Sequence, residues 1–168
     1  MYLTLGVTLE NKLCWSTHII SITANFNAKL NKLKQMKTFD HTTLETIYFL
    51  CILPSVTYCI SLWGCRNSLH DLEDLHIRAA RLIHNVSPSI PKNEVLSKAK
   101  CYSLSYLYKK RLACIAYQAY YNLAPPGITN LFTKHVTKYN LRDNLTFDLT
   151  HSYSKGLSDS FTHRACII

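Results

Sequence analysis

The residues whose side chains could take part in catalysis or metal binding are an acidic cluster, eight histidines and seven cysteines. Asp71, Glu73 and Asp74 form the acidic cluster, and two-metal nucleotidyl transfer would need such carboxylates to converge on paired cations. On the helix predicted for this region they point in different directions around the axis. The histidines, at positions 18, 41, 70, 76, 84, 135, 151 and 163, have no Cys or Asp at catalytic spacing. We therefore predict no catalytic residues.

The cysteines give no sign of a metal site. They are Cys14, Cys51, Cys59, Cys65, Cys101, Cys114 and Cys166. The set contains no C-x-x-C and no paired histidine spacing, so we predict no zinc site, and an odd count fits a disulfide framework poorly. We interpret most of them as small buried hydrophobic residues of a reducing compartment. The sequence also lacks a Gly-rich phosphate loop and a G-x-S-x-G elbow, so we predict no cofactor and no autonomous enzyme.

The elements that would position functional residues belong to one domain, or one with an appendage. The chain has 168 residues, is 48% hydrophobic and carries a net charge of +9, which makes an acidic partner plausible. Residues 1–38 contain five lysines and one carboxylate, and residues 91–123 contain six basic residues and one carboxylate. Either these segments line one positive groove, or they are two solvated helix faces.

Residues Tyr2–Leu9 alternate apolar and polar, which predicts a lone N-terminal strand with one apolar face. This start has no basic and apolar leader, so we expect an intracellular protein, nuclear or cytoplasmic, and not a secreted one. Ser16 and Thr17 are candidate N-caps for a helix over about 17–37. Its apolar stripe consists of Ile19, Ile22, Phe26, Leu30 and Leu33. The stripe is flanked by Lys29 and Lys32 on one side and by Lys34 on the other, either as lysines at the edge of the core or as phosphate contacts.

An uncharged run, Thr46–Cys65, makes up most of the second predicted helix, about 41–62, and continues past its end. Its proline, serines and tyrosines favour a buried helix kinked at Pro54 over a membrane span. Gly64 suggests a left-handed stop, and Ser68 with Asp71 resembles a capping box for the next helix.

The third helix carries the stripe Leu69, Leu72, Leu75, Ala79, Leu82, Ile83 and Val86. Asp74 and Arg78 are predicted to pair at i, i+4, with Arg81 one turn on. Arg78 and Arg81 form either a solvated, ion-paired face or a nucleic-acid contact.

Ser87–Pro91 breaks the helical pattern, and two helices are predicted after it, over 92–99 and 104–122. The second has a core stripe of Leu104, Tyr108, Leu112, Ile115, Ala119 and Leu123. Its opposite face carries Tyr106, Lys110, Tyr117 and Tyr121. Either this helix is sandwiched between two layers, or the face is presented to a partner.

The chain becomes polar near its end. Residues Ile128–Phe132 predict a helical turn, and residues 145–150 and 157–163 predict a loosely attached β-hairpin. The fold class predicted is mainly α: a small helical bundle with a lone N-terminal strand and a C-terminal β-hairpin. The predicted regions are 1–10, 11–133 and 134–168, the last being a C-terminal extension that we expect to be loosely attached.

Six groups of residues occur along the chain in an order that matches a known family. They are Leu5–Glu10; Trp15–Ile19; Ile52–Pro54 with Tyr58, Cys59, Trp63 and Gly64; Leu72 and Leu75 with Arg78–Arg81; Asn122–Pro125 with Leu131 and Phe132; and Tyr139–Arg142. Over nearly the whole chain the sequence resembles the post-palm region of reverse transcriptases from LINE-type, jockey-like non-LTR retrotransposons. Asp143 and the run His163–Cys166 depart from the family pattern, and the Trp-Asn that usually follows is missing.

The resemblance implies a remnant of a palm strand, a helical thumb that holds the template–primer duplex by its backbone, and an extension. It implies that the palm with its metal-binding carboxylates, and hence Mg²⁺, lies upstream of Met1, so this part of an RNA-directed DNA polymerase would have no activity of its own. The predicted phosphate contacts are Lys29, Lys32, Lys34, Lys37, Lys109, Lys110 and Arg111, and the structural motif residues are Pro54, Tyr58, Trp63, Gly64, Arg78 and Arg81. The alternative is a non-catalytic helical module that binds a protein through Tyr106, Tyr117 and Tyr121.

Overall fold

A computed structural model of the chain describes residues 2–11, 15–64, 69–134, 147–148 and 161–167. Two short strands, β1 (Tyr2–Thr4) and β2 (Val7–Leu9), precede the helices. The helices are α1 (Ser16–Gln35), α2 (His41–Ile47), a π-helical turn (Tyr48–Ile52), α3 (Leu53–Thr57), α4 (Ile60–Trp63), α5 (Leu69–His84), α6 (Lys92–Lys98), α7 (Leu104–Tyr120), α8 (Pro126–Thr129) and α9 (Phe161–Ile167). The mainly α fold class is therefore confirmed.

The chain divides into two compact units, residues 1–107 and 108–168. In the first unit, α1 packs on β2 and on α5, and α2 also packs on α5. Its largest fully buried side chains include Phe26, Leu33, Tyr48, Trp63 and Leu72. Burying apolar side chains of this size contributes about 1.5–3 kcal/mol each. Phe26, Leu33 and Leu72 belong to stripes predicted from the sequence, whereas Tyr48 and Trp63 belong to none.

The prediction of a lone N-terminal strand is wrong. Residues Leu5 and Gly6 turn the chain back, and β1 pairs antiparallel with β2 in the register Tyr2 to Leu9. Both turn residues have positive φ, +48° for Leu5 and +80° for Gly6, which is the combination of a type I′ turn. Because the chain reverses there, the alternation does not produce one apolar face: Leu5 is 85% exposed, whereas Val7 is buried.

The predicted start of α1 is also different. The N-cap position is Trp15, which has φ of +62° and makes no side-chain cap, so Ser16 and Thr17 lie inside the helix. The cap comes instead from Glu10, whose Oε1 accepts a hydrogen bond of 2.7 Å from the backbone N–H of Thr17. A carboxylate at this position also interacts favourably with the helix dipole.

The helix predicted over 41–62 is interrupted twice. Asp40 caps α2 by accepting a hydrogen bond of 3.2 Å from the N–H of Thr43. At the π-helical turn the N–H of Leu53 donates to the carbonyl of Tyr48, and this wider turn accommodates Pro54, which has no N–H to donate. The second break is at Cys59, which has φ of +52°. The prediction of one helix with a single kink at Pro54 is therefore wrong, because two interruptions divide this segment.

Gly64 does not provide the predicted left-handed stop. It has φ of −73°, is buried, and donates a hydrogen bond of 2.8 Å to the carbonyl of Ile60. Ser68 of the predicted capping box lies outside the described residues. Within the described ranges, no helix combines the length and apolar character needed to cross a membrane.

Helices α5 and α6 form a small core of their own. Ile77 and Ala80 of α5 are buried together with Val95 and Ala99, from α6 and the residue after it. Arg81 closes the connection between the two helices, because its guanidinium donates to the carbonyls of Ser87 at 2.5 Å and Ile90 at 2.7 Å. This loop, predicted from its two prolines, is therefore held by a side chain from the helix before it.

In the second unit, the buried side chains of α7 include Leu112 and Ala119, as the core stripe predicted, whereas Leu123 is 68% exposed. The predicted C-terminal hairpin lies mostly outside the described residues. Residues 161–163 of its second strand are helical, as the start of α9, so that part of the prediction is wrong. Phe147, which lies within the predicted first strand, forms an isolated antiparallel bridge with Lys134.

Candidate nucleic-acid interface

Helix α1 is a basic element with a buried stripe. His18, Phe26, Leu30 and Leu33 are buried, and Lys32 and Lys34 lie in the last turn. No aspartate or glutamate occurs in α1 or anywhere between Asn11 and Phe39. Cations in the last turn are favoured by the helix dipole, which explains part of their placement. The absence of carboxylates means that their charge is not locally neutralised.

Lys29 differs from the other lysines of this segment because it is engaged within the fold. It is half-buried, and its Nζ donates to Oγ of Ser55 at 2.7 Å and to the carbonyl of Cys51 at 3.5 Å. The second contact lies on the π-helical turn, where regular helical hydrogen bonding is altered. Lys29 therefore ties α1 to α3 and the turn before it, and phosphate binding would compete with these contacts.

Lys32, Lys34 and Lys37 are exposed. Because successive residues of a helix are rotated by about 100°, Lys32 and Lys34 border the buried stripe on opposite sides. Lys37 follows the end of the helix. The structure thus leaves three lysines around the carboxyl end of α1 accessible to an acidic partner.

The second basic segment, Lys109, Lys110 and Arg111, lies on α7 in the second unit. All three are exposed and stand between the buried residues Tyr108 and Leu112. Whether they line one groove with the lysines of α1 stays a prediction.

The predicted structural motif residues divide into buried and exposed sets. Trp63 is fully buried, and its indole N–H donates a hydrogen bond of 2.9 Å to the carbonyl of Tyr58. Tyr58, Pro54 and Arg78 are exposed, whereas Arg81 is half-buried in the loop contacts described above. The predicted partner of Arg78, Asp74, makes an ion pair with Lys92 in the structure, and this pair lowers the pKa of Asp74.

A cavity of about 160 Å³ lies next to the hairpin, lined by Leu3, Gly6, Thr8, His18, Ser21, Ile22, Asn25, Phe26, Ser55, Val56 and Tyr58. His18 is buried, and its Nδ1 accepts a hydrogen bond of 3.3 Å from the backbone N–H of Thr8. Burial lowers the pKa of His18, which keeps the ring neutral at pH 7. This contact fastens β2 to α1.

A buried polar network on α5 was not predicted from the sequence. The hydroxyl of Tyr48 donates to Nδ1 of His76, and Nε2–H of His76 donates to the carbonyl of Tyr102 at 3.0 Å. The acceptor role of the carbonyl places the proton of the neutral ring on Nε2. Burial lowers the pKa of His76 and raises the pKa of Tyr48, so both are uncharged at neutral pH.

Glu73, one turn before His76, interacts electrostatically with Tyr48 of this network and makes hydrogen bonds of its own. Its Oε2 accepts hydrogen bonds from the N–H groups of Leu104 at 2.8 Å and Ser105 at 3.3 Å, at the start of α7. Burial raises the pKa of Glu73, and burial together with the Glu73 charge raises the pKa of Cys101 to about 11. The available sequence signal was the position of His76 four residues after Leu72, within the apolar stripe of α5.

The acidic cluster does not converge. Asp71 is exposed, Glu73 holds the start of α7, and Asp74 pairs with Lys92. Among the residues that the structure describes, no group of three or more His, Cys, Asp or Glu is placed to hold a metal ion. The cysteines also differ from the prediction of mostly buried residues: of the five described, Cys51 and Cys114 are exposed and Cys59, Cys101 and Cys166 are half-buried.

Comparison of the chain with protein-family models, with curated proteins and with solved structures gave no match in any of the three cases. Function is therefore inferred from the chain's own residues, charges and geometry.

Proposed function

We propose that this chain is a thumb-like part of a non-LTR retrotransposon reverse transcriptase, and that its role is to hold a template–primer duplex by the phosphate backbone. The observation that carries the binding role is the set of exposed lysines, Lys32, Lys34 and Lys37, on and just after a helix without carboxylates. The ordered motif residues and the helical fold agree with the proposed origin.

The mode of binding is electrostatic and independent of base sequence. Each lysine that neutralises a phosphate releases condensed counterions, so affinity falls as salt rises. Lys29 contributes less than its neighbours because it already donates to Ser55 and Cys51. Lys109, Lys110 and Arg111 supply further phosphate contacts from the second unit.

The test is a salt titration with a labelled RNA/DNA duplex. A K32Q/K34Q/K37Q variant should bind more weakly. Its negative slope of log affinity against log salt should become shallower by up to about 3, since each phosphate contact contributes about −0.9 to that slope. The matched control is K92Q/K98Q/K100Q, which removes the same charge on and beside α6. Equal losses in the two variants, or no binding by the natural chain at low salt, would refute the proposal.

We propose further that the chain has no polymerase activity by itself. Asp71 is exposed, Asp74 pairs with Lys92, and Glu73 is committed to the backbone of α7, so the three carboxylates do not converge. Primer extension on an RNA template with Mg²⁺ measures this directly, and a product made by the purified chain would show that the proposal is wrong.

A second function, as a non-catalytic module that binds another protein, is supported by the exposure of Tyr106, Tyr117 and Tyr121. Replacing the lysines and, separately, the tyrosines distinguishes the two functions. Loss of a protein contact with the tyrosine changes, while the lysine changes leave every interaction intact, would favour the second function.

A further inference from the structure

The exposed face of α7 in the second unit carries an aromatic pair. Tyr117 is 59% exposed and Tyr121 is 49% exposed, and their ring centroids are 4.6 Å apart. The residues are four apart, and the N–H of Tyr121 donates to the carbonyl of Tyr117 at 3.1 Å, so both rings leave the same side of the helix. We call Tyr117 and Tyr121 the tyrosine pair.

One member of the tyrosine pair, Tyr121, contacts further aromatic residues of the second unit. The ring of Tyr120 meets Tyr121 edge to face at 5.3 Å and Phe147 at 5.7 Å. Nζ of Lys134 lies 5.0 Å from the centre of the Tyr120 ring. A ring held in this way loses less conformational freedom when a flat ligand stacks on it, which favours binding.

The charge along α7 is positive, and the exposed carboxylate of Asp148 lies next to Phe147 in the chain. Lys110 is exposed and lies seven residues before Tyr117, hence on the same side of the helix about two turns away. Lys109 and Arg111 flank it, and the sequence contains no aspartate or glutamate between Val95 and Arg142. The surface therefore offers cations and aromatic faces together, with no carboxylate of this stretch to repel an anion.

We propose that the tyrosine pair and Lys110 form a binding surface for single-stranded nucleic acid, in which unpaired bases stack on Tyr117 and Tyr121 and the backbone phosphates lie against Lys110. Basic grooves with exposed aromatic rings are the recurring means of holding single strands without sequence preference. In a duplex the faces of the bases are covered by their neighbours, so a stacking surface selects unpaired segments. This proposal does not depend on duplex binding by α1.

Binding is tested with a fluorescein-labelled oligodeoxythymidine of about 20 nucleotides, longer than a typical single-strand site. A Y117L/Y121L variant keeps apolar bulk on a helix-compatible side chain but removes the rings, and it should lose affinity by roughly fivefold or more. A Y117F/Y121F variant keeps the rings and should bind like the natural chain. Far-ultraviolet circular dichroism establishes that each variant is folded.

Three outcomes would overturn the proposal. They are unchanged affinity in Y117L/Y121L, an equal loss in Y117F/Y121F, and failure of the natural chain to bind the oligonucleotide at low salt. In the last case, retention of a protein contact that depends on the rings would assign the surface to a protein partner instead. The K32Q/K34Q/K37Q variant separates the two proposals, because it should weaken duplex binding more than binding of the single strand.

Cross-linking supplies a readout that a purely structural role would not change. An oligonucleotide containing 5-iodouracil attaches on irradiation to aromatic side chains stacked against the base. The tryptic peptide from Leu112 to Lys134 contains both residues of the tyrosine pair, and the attachment should map to it. Attachment confined to other peptides would contradict stacking at this site.

Discussion

The carboxylate of Glu73 accepts a hydrogen bond of 2.8 Å from the backbone N–H of Leu104, 31 residues later in the chain. The same oxygen also accepts from Ser105, and Oγ of Ser103 accepts from the N–H of Tyr106 at 3.1 Å. The first N–H groups of α7 would otherwise have no partner within the helix. A residue of α5 thus completes the cap of α7.

Replacing Glu73 with alanine should lower the free energy of unfolding by about 1–3 kcal/mol, because two N–H groups at the start of α7 lose their acceptor. Urea denaturation followed by circular dichroism measures the change. The control is Glu94→Ala, which removes the exposed pair with Lys98 and a carboxylate from the first turn of α6, each worth less than about 1 kcal/mol. Equal stability of the two variants would show that the cap from Glu73 contributes nothing.

The buried hydrogen-bonded pair of Tyr48 and His76 should make the stability of the fold depend on pH. Because burial holds the pKa of His76 below its ordinary value, the unfolded chain binds a proton that the folded chain resists. The contribution of His76 to the free energy of unfolding is therefore present above pH of about 6.5, and it is lost as pH falls toward the lowered pKa of His76. In His76→Gln, which does not titrate, the fall in stability below that pH should be smaller than in the natural chain.

Glu73 changes stability with pH in the direction opposite to His76, so it must be present in both proteins that are compared. Its raised pKa means that its contribution grows as pH falls toward the unfolded value. Tyr48 and Cys101 also face this network, and burial raises the pKa of both. Urea denaturation of the natural chain and His76→Gln at a series of pH values isolates the histidine. Parallel stability curves would exclude titration of His76 as a cause.

Lys29 and Lys32 should respond differently to the same substitution. Lys29→Met removes the hydrogen bonds to Ser55 and Cys51, so it should lower stability by about 0.5–1.5 kcal/mol. Lys32→Met changes an exposed residue and should stay within about 0.5 kcal/mol of the natural chain while weakening duplex binding. Thermal unfolding and the duplex titration, run on both variants, measure the two effects. A reversal of this order would place Lys29 at the interface and Lys32 in the fold.

The hairpin turn contains a residue poorly suited to its conformation. Leu5 has φ of +48° and is 85% exposed, so its side chain contributes little packing while its backbone is strained. Leu5→Asn should stabilise the chain by up to about 1 kcal/mol, because Asn-Gly is the preferred pair for this turn. Leu5→Ala serves as the control, since it removes the side chain but keeps the unfavourable φ. Equal unfolding temperatures for the two variants would count against a strained turn.

Local periodicity was sufficient for most of the helices. The apolar stripes of α1, α5 and α7 predicted buried residues such as Phe26, Leu72 and Leu112, since a period of 3.6 residues depends only on neighbours along the chain. Prolines likewise marked the connection between α5 and α6. The exposed lysines of α1 follow from the same pattern, and their role as phosphate contacts stays a prediction.

The features that sequence patterns missed depend on contacts between distant residues or on unusual backbone conformations. Alternation over Tyr2–Leu9 cannot reveal a turn at Leu5. The cost of positive φ there is offset by the pairing of β1 with β2 and by the packing of β2 on α1, neither of which an alternating pattern reports. The role of Glu73 required the fold to bring Leu104 to it. The amino-acid sequence by itself determined the helical class and the basic charge of α1 and α7; tertiary structure decided which charged groups are used internally, because buried N–H and C=O groups must find partners wherever the chain brings them.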